Sequence, residues 1–127
     1  MHTATNIVRT LIRLTGLVQI VLGVLFWTGN ARGLIPLHQL VGFGLVLSLL
    51  VMAALAARAG VNPGLVALAV VWVLVVPVLG LTQDRLLLGS AHWVIQVLHL
   101  LLGLGAISQG EALAARILGR QVPAPQA

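Results

Sequence analysis

Four long stretches without a charged residue divide this chain. They cover residues 14–31, 33–57, 59–83 and 86–110, and contain 18, 25, 25 and 25 residues. A helix of about 20 apolar residues crosses the roughly 30 Å hydrocarbon core of a bilayer. The stretches lack the alternation of a barrel strand, and only helices and closed barrels satisfy the backbone in lipid. The sequence therefore predicts four transmembrane helices, at about 7–28, 34–58, 64–82 and 88–117.

The composition excludes the main alternatives to a membrane protein. Only 7% of the residues are charged and 60% are hydrophobic, whereas a soluble domain is about 25% charged and needs polar residues to cover its surface. Disorder requires low hydrophobicity and high charge. The net charge of +5 comes from scattered arginines rather than a basic patch, so no nucleic-acid partner is expected. The absence of cysteine removes disulfides, iron–sulfur clusters and cysteine zinc sites.

The arginines also predict an orientation in the bilayer. With both termini inside, Arg32 and Arg85 face outward and five arginines face the cytoplasm, the side that basic residues favour. Those five are Arg9, Arg13, Arg58, Arg116 and Arg120. Trp27 and Trp93 then lie near the outer interface, as in aromatic belts. We expect an N-in, C-in protein of a bacterial cytoplasmic membrane.

A single domain accounts for the predicted spans. Short loops join antiparallel neighbours, so residues 1–120 are expected to form an all-α, up-down-up-down four-helix bundle, followed by a short flexible tail at 121–127. In an alternative interpretation, residues 1–31 are a cleaved signal peptide, because Arg9 and Arg13 precede an apolar run and a small-residue turn. Against cleavage, the uncharged run is long, and Gln19 suggests a face that packs on other helices.

The second and fourth predicted helices share a motif. Residues 37–44 and 98–105 both read Leu-His-x-x-x-Gly-x-Gly, and both helices end in Leu-Ala-Ala-Arg, at 55–58 and 113–116. Such similarity indicates a repeated structural unit, here a duplicated helical hairpin. Duplication would place His38 opposite His99 across a pseudo-twofold axis along the membrane normal. Chance is the alternative, since the chain is rich in leucine, glycine and alanine.

Depth in the membrane favours His99 over His92 as the partner of His38. His38 lies 20 residues before Arg58, and His99 lies 17 residues before Arg116. Measured from the outer charges the two depths differ, so His92, near the outer end of its helix, stays a competing partner.

The fourth predicted helix carries a polar face within its apolar span. Its members are spaced i, i+4, i+7 and i+11, which is one side of a helix: His92, Gln96, His99 and Gly103. Polar side chains inside a membrane usually face the bundle interior and serve a function. On the second predicted helix, Gly42 lies one turn from His38, as Gly103 does from His99. Haem b takes one imidazole nitrogen on each side of its iron, and glycine lets the helices approach the macrocycle closely. Gly16 and Gly23 of the first helix are expected to make further room.

These features resemble the haem-binding core of the cytochrome b proteins of bacteria and mitochondria, and small membrane cytochromes b in general. The resemblance implies bis-histidine haem b and electron transfer, often with quinone or with a partner redox protein. One departure is clear: the cytochrome b core carries two histidines on each of two helices, whereas here the second helix has one. We therefore expect one haem per chain, with His38 and His99 as axial ligands and His92 as the alternative ligand. Gly42, Gly103 and Gln96 complete the expected cofactor site.

Two other classes of function stay open. One is a non-catalytic membrane subunit or assembly factor of a larger complex; the other is a channel or carrier for a small neutral solute. The charged residues are expected only at helix ends, which disfavours a charge-relay pump. A copper or zinc site built from three histidines lacks a nearby carboxylate and ranks below haem. The glycines and glutamines also have a purely structural use in packing and joining helices. We expect a homo-oligomer or a subunit of a complex.

Overall fold

The computed structural model describes residues 1–120, and its regular structure there is helical throughout. The four α-helices are α1 (His2–Trp27), α2 (Ile35–Arg58), α3 (Pro63–Thr82) and α4 (His92–Gly119). Single 3₁₀ turns occupy the connections, at Arg32–Leu34, Gln83–Arg85 and Gly89–Ala91. All four helices are long and apolar enough to cross a membrane, which confirms the predicted number of spans. The tail expected at 121–127 lies outside the described residues.

Two helix starts differ from the predicted bounds. Helix α4 begins at His92 rather than at about residue 88, because Gly89 adopts a left-handed φ of +84° and leads into a 3₁₀ turn first. Helix α1 begins at His2 rather than at about residue 7, and the Thr5 hydroxyl donates to the Met1 carbonyl in its first turn. The expectation that charges lie only at helix ends is therefore wrong for Arg13, which sits near the middle of α1.

The helices form an antiparallel bundle in which α2 and α4 are diagonal to each other and in direct contact. Consecutive helices contact one another, and α1 also packs against α4 with Ile12 at Gly110 and Gly16 at Ile107, an antiparallel register. Helices α2 and α4 touch directly, whereas α1 and α3 do not come into contact within the described chain. Side chains on facing sides of the parallel pair α2 and α4 therefore meet at the bundle centre.

Most of the packed core lies in one half of the bundle. We call this half, which holds the start of α1, the end of α4 and the 59–62 turn, the terminal end; the opposite half, with the connections 28–34 and 83–91, is the loop end. Fully buried Ile12, Leu49 and Ile117 belong to the core at or toward the terminal end. The remaining buried members are Val8, Leu45, Val46, Met52, Ala53, Ala56, Val61, Ala69, Val76, Ala106, Leu113 and Ala114. Few buried apolar side chains lie at the loop end, so it is the end with room for a site.

The outer surface of the bundle is apolar. Leu40, Leu74 and Leu17 each expose more than three-fifths of their surface. Soluble monomers rarely expose contiguous apolar patches larger than a few hundred Å², and helices that are hydrophobic all round belong in a protein core or a membrane. The surface therefore agrees with the four candidate spans.

The α2–α3 turn is fixed by two local devices. Gly60 adopts a left-handed φ of +71°, which lets the amide of Val61 donate to the Ala56 carbonyl at 3.0 Å and satisfy the end of α2. The Asn62 side chain then accepts a hydrogen bond from the Gly64 amide at 2.8 Å and caps the start of α3.

Replacing Asn62 with alanine should lower the free energy of unfolding by about 1 kcal/mol, the usual cost of losing such a cap. Asn62→Asp retains an acceptor oxygen and should cost much less. Reversible unfolding in mixed detergent and sodium dodecyl sulfate micelles measures both variants. Equal losses for alanine and aspartate would show that the cap does not stabilise the turn.

Candidate functional site

His38 and His99 lie side by side at the bundle centre, toward the loop end. Their ring centroids are 6.2 Å apart and their planes are inclined by 57°. They meet because α2 and α4 are parallel helices in direct contact. Each histidine lies on the face of its helix that is turned to the other helix. This confirms the prediction that the two repeated histidines face each other.

Each imidazole is held by a neighbouring helix. The Phe26 ring of α1 stands edge-on to His38, with centroids 5.3 Å apart and an angle of 70° between the planes. Gly80 of α3 lies against His99, where an added Cβ would be only 3.0 Å from Cε1 of the ring. Sequence reasoning missed Gly80, since it belongs to no repeat and no polar face; only the fold brings it to His99.

Several polar atoms at this point have no hydrogen-bond partner. Nδ1 of His38, Nδ1 of His99 and Oε1 of Gln19 are buried and unpaired within residues 1–120. An unpaired buried polar group costs about 1–3 kcal/mol, and such groups are rare in folded proteins. Three of them around one pair of rings indicate a site that is completed by a bound group or by water.

Two cavities meet at the histidine pair. The larger has a volume of about 380 Å³ and the smaller about 50 Å³. Both are lined by Gln19, His38, Gly42, Gly80 and His99, among others. The two imidazoles thus stand where the cavities join, and the larger volume is in the range of small-molecule binding sites.

The two cavities share most of their lining and differ in the other residues that they reach. The larger one continues along α1 and α4 past Gly23 and Gln96, and reaches the loop end at Trp27, Asp84 and His92. The smaller one runs between α2 and α3, past Gln39, Phe43 and Pro77.

The predicted glycines have separate roles. Gly103 lines the larger cavity, and a Cβ there would meet nothing within 4 Å. Gly42 also lines the cavities, but a Cβ on it would lie 2.7 Å from Nε2 of Gln19, so its first role is to seat that glutamine. Gly23 borders the larger cavity, whereas a Cβ on Gly16 would lie 2.6 Å from Ile107. Gly16 thus packs two helices together and does not enlarge the site, contrary to expectation.

His92 lines the mouth of the larger cavity rather than its centre. Its Nδ1 is 3.1 Å from the Leu86 carbonyl oxygen, which occupies one ring nitrogen. Among the described residues, the rings packed against His38 are those of Phe26 and His99. The geometry therefore places His99, and not His92, beside His38.

The donor set matches a group that needs two protein ligands. Nowhere in residues 1–120 do three or more histidine, cysteine, aspartate or glutamate side chains converge as a metal-ion site. The copper or zinc site of three histidines is thus not assembled in the described chain, and the two facing imidazoles are the number that haem iron takes in a bis-histidine site.

No protein-family model, no curated protein and no solved structure matches the chain. The two rings, the unpaired atoms around them and the adjoining cavities are the features from which the function has to be inferred.

Proposed function

We propose that this chain is a membrane b-type cytochrome that holds one haem b between His38 and His99 and carries electrons. The separation of the two rings is the observation that supports this most. An imidazole nitrogen lies about 2 Å from a metal it binds and about 1 Å from its own ring centre, so two axial imidazoles on one iron have centres about 6 Å apart. The centroids of His38 and His99 are 6.2 Å apart.

The surrounding residues fit a flat group held between two ligands. The larger cavity, of about 380 Å³, reaches both imidazoles and would supply space for a macrocycle beside them. Gly103 leaves its wall of the larger cavity open. Gln19 and Gln96 supply polar atoms to the wall of the larger cavity. When bound, haem b supplies a one-electron iron couple whose potential the axial ligands and the burial set.

The proposal includes an N-in, C-in orientation in a bacterial cytoplasmic membrane. Five of the seven arginines belong to the terminal end, and the side chain of Arg120 lies near the 59–62 turn, where a Cβ on Gly60 would be 3.6 Å from its Nη1. Basic residues favour the cytoplasmic side, which puts the histidines in the outer half of the bilayer. Quinone in the membrane or a redox protein at the outer face is then the expected electron partner.

Duplication of a hairpin is also part of the proposal. The second glycine of each motif packs against the preceding helix: Gly44 lies near Thr15 of α1, and Gly105 lies near Trp72 of α3. The equivalent packing in the two hairpins, together with the facing histidines, supports a common origin better than chance similarity of composition.

Optical spectra test the proposed function. Protein purified after expression with sufficient haem should show a Soret band and, after reduction with dithionite, the sharp α-band of a six-coordinate b-type haem. Pyridine extraction should give close to one haem per chain. A colourless protein that copurifies with a stable membrane complex would instead support the non-catalytic subunit.

Replacing Gly80 with alanine should disturb the site through the ring that it contacts. The new Cβ would lie 3.0 Å from Cε1 of His99, so the imidazole has to shift by a few tenths of an ångström. We expect lower haem occupancy and a changed α-band at nearly unchanged helix content. Gly44→Ala is the matched control, because its Cβ would make an ordinary contact of 3.7 Å with Thr15. Equal spectra for both variants would contradict a role of Gly80 in placing His99.

A further inference from the structure

A charge cluster joins α1 to α4 at the terminal end. Arg9 donates to Oε2 of Glu111 through Nε and Nη2, at 2.9 and 2.7 Å. Arg13 donates from Nε to Oε1 at 2.7 Å and from Nη2 to Oε2 at 2.8 Å. A single carboxylate thus accepts from two guanidinium groups, and the sequence alone gave no reason to pair Glu111 with the first helix.

The cluster carries one uncompensated positive charge. Two arginines and one glutamate leave a net charge of +1, and the sequence contains only one other acid, Asp84. Asp84 follows α3 at the loop end and lines the mouth of the larger cavity there. Each guanidinium has five N–H donors, of which Glu111 engages a part. The second charge and the remaining donors are therefore available to an anion from outside the chain, since the Arg13 side chain is largely exposed.

The position of the cluster identifies the kind of anion. A hydrocarbon core of about 30 Å corresponds to about 20 helical residues. With Trp27 at one interface, the opposite boundary lies near residue 7 of α1, so at 1.5 Å per residue Arg9 lies about 3 Å and Arg13 about 9 Å inside it. Their long side chains extend toward the headgroups, and the side chain of Arg13 is 57% exposed. The anions that these side chains reach at the headgroup level are lipid phosphates.

We propose that Arg9 and Arg13, held in place by Glu111, bind the phosphate of an anionic phospholipid. Arginine recognises phosphate through paired N–H donors, and a basic residue at an anionic leaflet contributes to lipid binding. Glu111 has two effects on this site: it orients both guanidinium groups, and it cancels one of their charges. The site lies at the end opposite the histidines and is independent of the proposed haem.

Native mass spectrometry of the full-length protein, titrated with phosphatidylglycerol or phosphatidylcholine, tests this proposal. Phosphatidylglycerol should bind more tightly than phosphatidylcholine. Arg13→Gln should weaken its binding by about fivefold, the effect expected of one basic residue near an anionic surface. Arg32→Gln makes the same change of charge at the loop end and should leave binding unchanged. Circular dichroism checks the helix content of each variant.

Glu111→Gln separates a lipid site from a purely structural cluster. It leaves two positive charges on α1, so phosphatidylglycerol binding should become tighter even though the α1–α4 link is weakened. Weaker binding in Glu111→Gln than in the unaltered protein would overturn the proposal, as would equal losses in Arg13→Gln and Arg32→Gln. Displacement of the lipid by millimolar inorganic phosphate would identify a soluble anion as the ligand and also overturn it.

Discussion

Purified His99→Ala protein is expected to lack the Soret band that the proposed haem would give the unaltered protein at equal concentration. The substitution removes one of the two facing imidazoles, and His38 alone would hold the proposed haem weakly. His38→Ala should have the same effect. The measurement is the absorbance ratio of the Soret band to the protein band, together with the haem content after pyridine extraction.

His92→Ala is the matched control for this experiment. It removes an imidazole from the same helix and the same cavity, but at the mouth, where its ring contacts the Leu86 carbonyl and not the His38 ring. We expect a near-normal spectrum. Loss of the band in His92→Ala together with its retention in His99→Ala would show that His38 pairs with His92. Restoration of the band in His99→Gly by added imidazole would show that the missing ligand, and not a folding defect, caused its loss.

Gly16→Ala should destabilise the bundle by about 1–3 kcal/mol, the usual cost of overpacking a tight contact. The new Cβ would lie 2.6 Å from Cδ1 and 2.8 Å from Cγ1 of Ile107, so α1 and α4 have to separate or the isoleucine has to change its rotamer. Unfolding in mixed micelles measures the free energy. A second substitution, Ile107→Ala, should recover part of the loss by vacating the space.

Gly23→Ala controls for helix propensity, since alanine favours a helix over glycine by up to about 1 kcal/mol. A Cβ on Gly23 would meet nothing within 4 Å, so this variant should be as stable as the unaltered protein or slightly more stable. Similar free energies for Gly16→Ala and Gly23→Ala would mean that the contact with Ile107 does not hold α1 against α4.

The sequence predicted the features of the fold that depend on single helices. Long uncharged stretches are sufficient to predict four spans, because hydrocarbon tolerates only helices or closed barrels there. The repeated motif predicted which histidines face each other, since similar spacing from Arg58 and Arg116 puts them at similar depth. The predicted helix starts were less accurate. They depend on 3₁₀ turns and on left-handed glycines such as Gly89, which hydropathy does not predict.

Features that depend on how two helices fit together could not be predicted in the same way. Gly80 became a neighbour of His99 only through the α3–α4 register. Gly16 and Gly23 lie on one side of α1, yet Gly16 packs against Ile107 and Gly23 borders the cavity. Glu111 is separated from Arg9 by 102 residues, and no local pattern links the two. Register decides each of these cases, and it is set by packing between side chains that are far apart in sequence.

The larger cavity is closed at Ile107, where that side chain packs on Gly16. The mouth of this cavity, at Asp84 and His92, lies at the loop end. The terminal end is filled by apolar side chains and carries the arginine cluster. A molecule that reaches His38 and His99 through this cavity would therefore enter from the loop end, and the proposed site would be accessible from one end of the bundle only.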